Sequence, residues 1–153
     1  MLKLTPEVVH FFQEQGFVIV STIDHQGRPH SACKGIIRID KSGKVYLLDV
    51  YTRSTLNNLK TNPNISITAV DEHQFAGYCL KGKAKVISGR EIGPQIKMAW
   101  DEKIAIRITQ RLLKNIKEEK GHPRHPEILL PMPAYLIIMQ VEEVVDLTPQ
   151  HLK

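Results

Sequence analysis

Only two cysteines occur in the 153 residues, Cys33 and Cys79. A disulfide framework needs more, and a reducing cytosol would keep both as thiols. No apolar run approaches the roughly 20 residues that cross a bilayer as a helix. The N-terminus lacks the charged, apolar and small-residue succession of a secretory signal. The expectation is a cytoplasmic protein with no membrane partner. Several catalytic signatures are missing as well: there is no Gly-x-Ser-x-Gly elbow, no His-Glu-x-x-His zinc pair, no Walker loop and no Gly-x-Gly-x-x-Gly loop. Hydrolase and nucleotide-hydrolase readings therefore have no support. His30-x-x-Cys33 and the pair His122 and His125 each offer only two metal ligands, too few for a site. No metal is expected.

What is present is an ordinary globular composition. Apolar residues make up 42% of the chain, which argues against disorder and allows one domain with a real core. The formal charge of +5 points to an anionic partner, a phosphate-bearing small molecule or a nucleic acid. The charge is spread along the chain, with no basic block interleaved with aromatics, so nucleic acid ranks last.

The start, "TPEVVHFFQEQG", predicts a short helix. Thr5 suits its cap and Pro6 its first turn, Val8, Val9, Phe11 and Phe12 give it an apolar face, and Gly16 ends it. "FVIVSTI" is rich in β-branched residues and predicts a buried strand, broken by the turn cluster "DHQGRP". A second strand over roughly "HSACKGIIRI", a hairpin turn at "DKSGK" and a third strand, "VYLLDV", follow. A short helix at Thr55 to Lys60 leads to the strand "ISITAV". The fifth strand, "GYCLKGKAKVI", places Tyr78, Leu80, Gly82, Ala84 and Val86 on one face, and "YLIIMQVEEVVDLTP" closes the chain. Six strands separated by turns, with helices only at the margins, predict a mainly β fold: an antiparallel barrel, not repeated βαβ units, in a single domain over 1–153.

One segment departs from this plan, roughly Arg90 to Pro131. Ile104, Ile108, Leu112 and Ile116 recur at i, i+4 as a helical stripe, with Lys114, Lys117, Glu118, Glu119 and Lys120 on the wet face. "GHPRHPEILLPMP" then blocks helix and strand alike, since its four prolines cannot donate to a ladder. The reading is a helical insertion followed by a proline-rich loop.

Chemistry gathers at Thr52-Arg53-Ser54-Thr55, where the third strand gives way to the short helix. Free N–H groups at a helix start, with the helix dipole, attract anions; hydroxyls add rotatable donors and an arginine adds a planar cationic fork. If Thr52 caps the helix, the free N–H groups are those of Arg53, Ser54 and Thr55. The same residues also serve simply to cap a helix, which is the commoner use of such a stretch.

The order of segments resembles the FMN-binding split β-barrel family, which includes pyridoxamine 5′-phosphate oxidase and small FMN-binding proteins. The resemblance is carried by the turn Asp24-His25-Gln26-Gly27-Arg28-Pro29-His30, the cluster Arg53-Ser54-Thr55, the helix stop Asn62-Pro63 and the run from Gly77 through Tyr78 and Gly82 to Ala84. It covers about residues 15–88 and 134–147.

The resemblance implies a six-stranded split barrel that forms a homodimer, with FMN near the subunit interface and a small-molecule redox substrate. It places the phosphate on Arg53, Ser54 and Thr55, with Asn58 holding that cradle or lying exposed on the helix. It lays the ring along the second strand, His30, Ser31, Ala32, Cys33 and Lys34 up to Gly35. Lys34 either faces the electron-rich end of the ring or points outward. Asp49 is placed to bond the ribityl chain or to fix Arg53, and Gly77 to let backbone approach a ligand or a partner strand. Cys33 by default is a buried, inert thiol. Trp100 either covers the ring or anchors packing. Many relatives carry lysine where this chain has Ser54, which removes a charge that Arg53 or Lys34 would have to replace. A deazaflavin coenzyme or haem is the alternative ligand, and a non-catalytic carrier or sensor the alternative role.

Overall fold

The computed structural model describes residues 1–49, 53–117 and 133–153. Helix α1 covers Pro6–Gln13. The Thr5 hydroxyl accepts the Val8 N–H at 3.3 Å, and Pro6 fills the first turn, where its missing N–H costs nothing. Val8, Val9 and Phe12 turn inward. The helix stops at Gln13, before Gly16 is reached.

The strands are β1 (Val18–Ile23), β2 (Pro29–Lys34), β3 (Ile36–Ile39), β4 (Lys44–Asp49), β5 (Asn64–Asp71), β6 (Ala76–Ser88) and β7 (Tyr135–Asp146). Helix α2 spans Ser54–Thr61 and helix α3 spans Pro94–Ile116. The strands form one antiparallel sheet in the order β2-β1-β5-β6-β7-β4-β3. The two edges, β2 and β3, are consecutive in the chain and meet at Gly35. The curled sheet is therefore closed by a covalent link and not by a ladder, which makes it a split barrel. The same break at Gly35 makes seven strands of the expected six, because the run from His30 to Ile39 leaves one edge and joins the other.

Period-two alternation builds the core. Val18 and Val20 of β1, Val45 and Leu47 of β4, Ile67 of β5, Leu80 of β6 and Ile137 and Met139 of β7 are all buried inside the barrel. Each contributes roughly 1.5–3 kcal/mol relative to exposure. Tyr78, Leu80, Gly82 and Ala84 share the inward face of β6 as expected. Gly82 has no room for a side chain, since a Cβ there would stand 2.0 Å from the Gln140 carbonyl oxygen, at the register shift between β6 and β7.

Helix α3 packs differently from expectation. None of its residues is fully buried. Its half-covered stripe runs through Ile96, Trp100, Lys103, Ile104, Arg107 and Ile108, whereas Leu112 and Ile116 are exposed. The predicted stripe is thus half-covered at Ile104 and Ile108 and exposed at Leu112 and Ile116. Ile96 and Trp100 rest on a small second core of Leu48, Ile92 and Leu136. The expected proline-rich loop lies outside the described residues.

Candidate functional site

The ends of β2 and β4, the start of α2 and the inner stripe of α3 enclose a cavity of about 480 Å³ at the split. That volume falls in the range of small-molecule and cofactor sites. Alternation along β2 puts His30, Ala32 and Lys34, all half-buried, on one face. All three line the cavity, and Cys33 also contributes to its wall. Ser31 does not: it faces away, with its Oγ 2.9 Å from the Ser21 Oγ on the neighbouring strand. Cys33 is exposed, contrary to the buried thiol expected, because it occupies the outward phase of the same alternation.

Lys34 reaches across the split from β2 to β4 and forms an ion pair with Asp49; the two side chains are 9% and 6% exposed. The Tyr135 hydroxyl donates to the same carboxylate oxygen at 2.7 Å. Burial first, and the Asp49 carboxylate second, push the Tyr135 hydroxyl far above its ordinary range, so it remains a protonated donor. Such a pair is sound only because each member is satisfied; an unpaired charge in this place would be costly.

Helix α2 begins one residue later than the cradle reading assumed. Arg53 occupies the cap position with no side-chain cap bond, and Thr52 lies outside the described residues. The N–H groups without an intrahelical acceptor are therefore those of Ser54, Thr55 and Leu56. Arg53, Ser54 and Thr55 all line the cavity. Thr55 is 4% exposed, and among the described residues its hydroxyl has no hydrogen-bond partner. Buried hydroxyls are nearly always paired, so this one, on the wall of the cavity, has donor and acceptor capacity to offer there. Asn58 is buried one turn later and donates to the Thr22 hydroxyl at 3.0 Å. It does not touch the cavity but ties α2 to β1.

Gly77 lies apart from this group. It sits opposite Val70 near the start of β6, where a Cβ would meet the Ala69 carbonyl oxygen at 3.1 Å and the Leu147 side chain at 3.4 Å. The close approach it allows is to its own chain.

The far wall comes from residues that sequence reasoning passed over: Phe17 before β1, and Lys103, Ile104 and Arg107 on α3. Trp100 also lines the cavity while resting on the second core, so it anchors and covers at once. The Arg107 guanidinium lies over the Phe17 ring, 4.2 Å from its centroid. Lys103 donates through Nζ to the Ile36 carbonyl. Burial, with the neighbouring Arg107 charge adding to it, lowers the Lys103 ammonium to about 8. A usable signal was in the sequence, since cations at 103 and 107 fall on the apolar stripe of α3 where a solvated face would not put them.

A curled antiparallel sheet with a cavity at its split, lined by Lys34, Arg53, Lys103 and Arg107, defines the class: a split-barrel protein. Residues 4–126 match the family described as pyridoxamine 5′-phosphate oxidase, and the chain belongs to that family. Solved structures share the fold. HupZ of Group A Streptococcus superposes with a TM-score of 0.65 at 19% identity, over 95% of this chain and 94% of that one. A Clostridium acetobutylicum protein of the pyridoxinephosphate oxidase family, related to general stress protein 26 of B. subtilis, gives 0.64 at 22% identity, over 96% and 88%. HutZ, the haem storage protein of Vibrio cholerae, gives 0.54 at 19% identity, over 94% of each chain. No curated protein sequence matches the chain. Among the described residues no helix is long and apolar enough to cross a membrane, and no cluster of three or more His, Cys, Asp or Glu side chains is placed to hold a metal.

Proposed function

We propose that this chain is an FMN-binding flavoprotein, an oxidoreductase that works as a homodimer on a small-molecule redox substrate. The observation that carries the reading is the orphaned, buried Thr55 hydroxyl at the start of α2, facing the same cavity as β2. Thr55 and Ser54 would hold the phosphate with their hydroxyls and N–H groups. Arg53 at the helix start supplies the countercharge that relatives draw from a lysine.

The face of β2 bearing His30, Ala32 and Lys34 would lie along the ring, with backbone donors available at the strand edge. Phe17, Trp100 and Ile104 exclude water from it. Bound FMN would supply reversible one- and two-electron chemistry; the chain orients it, screens it and holds charge beside it. The homodimer reading draws support from Phe17, which lines the cavity, and Ile19 on β1; they are 58% and 41% exposed and call for a cover.

One observation favours a second reading, haem binding. His30 and Cys33 both line the cavity, and imidazole and thiolate are the commonest protein ligands of haem iron. The absorption spectrum of the purified protein after incubation with each ligand decides between them. Flavin bands that are released on denaturation support FMN, whereas a Soret band with no flavin uptake overturns it in favour of haem.

A further inference from the structure

Two lysines line the one cavity, in opposite surroundings. Lys34 is ion-paired with Asp49. Lys103 reaches over the split from α3, and its Nζ donates to the Ile36 carbonyl and stands 3.4 Å from where a Gly35 Cβ would be. It therefore sits at the point where β2 ends, beside the strand proposed to carry the ring.

Lys103 and Arg107 also line a second cavity of about 440 Å³ on the other side, together with Glu14, Arg38 and Glu102, so the amine has a polar route to water. The charged and titratable groups around it are Arg107 and Glu102 on its own helix, His30, Cys33 and Lys34 on β2, Arg38 on β3, Asp49 on β4, Arg53 before α2 and Glu14 after α1. Asp49 is committed to Lys34, and the two glutamates lie on the side of the second cavity. On the first cavity's side, nothing among the described residues matches the charge of Lys103 as Asp49 matches that of Lys34. Burial and Arg107 accordingly bring its ammonium down to about 8, so the charge is easily gained or lost.

We propose that Lys103 couples protonation to the redox state of a flavin in this cavity, its Nζ taking a proton from water as negative charge develops on the ring and returning it on reoxidation. The inference rests on the FMN reading above. Two electrons enter the ring from the electron donor. Separately, a water-borne acid loses a proton and an N–H bond forms at Nζ, so the new negative charge faces a new ammonium. The lysine adds this proton to any that the ring itself binds.

The test is electrochemical reduction of FMN-loaded protein, with the midpoint potential followed from pH 7 to 10 for wild type, Lys103→Arg and Lys103→Met. Above pH about 8, wild type takes up one more proton per two electrons than either variant. That is a tenfold change in equilibrium constant per pH unit, or about 30 mV per pH unit of extra slope. Arg stays charged and Met uncharged, so both lose the extra slope, while Arg keeps the higher potential at alkaline pH. Protein labelled with 13C at lysine Cε supplies a second readout, in which the signal lost in both variants titrates near pH 8 in the oxidised form and higher in the reduced form. Equal slopes in all three proteins, or a Lys103 signal that titrates identically in both redox states, overturn the proposal. If the loaded protein shows no flavin bands, the FMN reading itself has failed and this inference falls with it, a result that the spectrum separates from the first.

Discussion

Lys34 on β2 and Asp49 on β4 form an ion pair across the split, joining two strands that share no ladder. The pair latches the barrel at the floor of the cavity, and Tyr135 secures the carboxylate from behind. Removing one member leaves the other charge buried and alone. Asp49→Asn should therefore cost about 3–5 kcal/mol, whereas the double change Lys34→Met with Asp49→Asn should recover much of that loss. Urea unfolding of the single and double variants measures it, and a double variant no more stable than Asp49→Asn would show that the latch carries little of the closure.

The start of α2 makes a prediction about binding. Thr55→Ala combined with Arg53→Ala should weaken FMN binding more than tenfold, a loss of about 1.4 kcal/mol or more. Thr55→Val, which keeps the shape and deletes only the orphaned hydroxyl, should account for a measurable share. Ser54→Lys should tighten binding by restoring the charge that relatives carry. Fluorescence quenching of FMN gives all four dissociation constants, and unchanged values in folded variants would remove the cradle.

Much of this architecture was legible in the sequence because it follows from periodicity. The β-branched runs, the turn at Asp24 and the capped start of α1 each announce themselves locally. The Asp24 carboxylate accepts the Gln26 and Arg28 N–H groups, and Gly27 takes φ 76°, as such a turn requires. Two features were not local. The break at Gly35 depends on which edge each half of the run joins, and the register of distant strands decides that. The far wall of the cavity depends on how α3 crosses the sheet, so Lys103 and Arg107 were not singled out, although both line the cavity. Gly77 left two readings open, ligand or partner strand, and its close neighbours are Ala69 and Val70 of the paired strand β5.

Asn58 acts on the site only through its anchor. Its amide donates to Thr22 in the interior, and both side chains are buried. Asn58→Ala should destabilise the fold by about 1–3 kcal/mol, since Thr22 then loses its partner. It should also weaken FMN binding, because α2 is no longer held to β1. The pair Asn58→Leu with Thr22→Val removes both polar groups and should restore stability more than binding. Thermal melts and FMN titration of the two variants separate the effects, and equal recovery of both would argue against a positioning role.

The apolar surface beside the cavity predicts the assembly. Phe17, just before β1, lines the cavity, and both it and Ile19 on β1 are exposed. Ile19→Lys should shift the protein from dimer to monomer in light scattering at micromolar concentration, and should lower FMN affinity if the partner covers the cavity mouth. A variant that remains a dimer with unchanged affinity would place the interface elsewhere.

Tyr135 contributes a loss of stability at alkaline pH. Its hydroxyl is raised above the ordinary tyrosine value by burial and by Asp49, so the folded state holds its proton where the unfolded chain gives it up. The sign follows from proton counting. Below pH about 10 both states are protonated and the contribution is fully present; above it the unfolded state binds fewer protons, so stability falls as pH rises. Tyr135→Phe deletes this titration and the bond to Asp49 together. The variant should be less stable than wild type at neutral pH, and the gap should narrow as pH climbs from 10 toward 12. Lys103 acts in the opposite direction over an adjoining range. Its value of about 8 lies below that of an unfolded lysine, so between pH 8 and 10.5 the unfolded chain binds more protons and this group makes stability rise. Urea midpoints of wild type, Tyr135→Phe and Lys103→Met across pH 7–11 should show the two slopes removed one at a time; a wild-type profile that neither substitution alters would mean that neither group changes its proton affinity on folding.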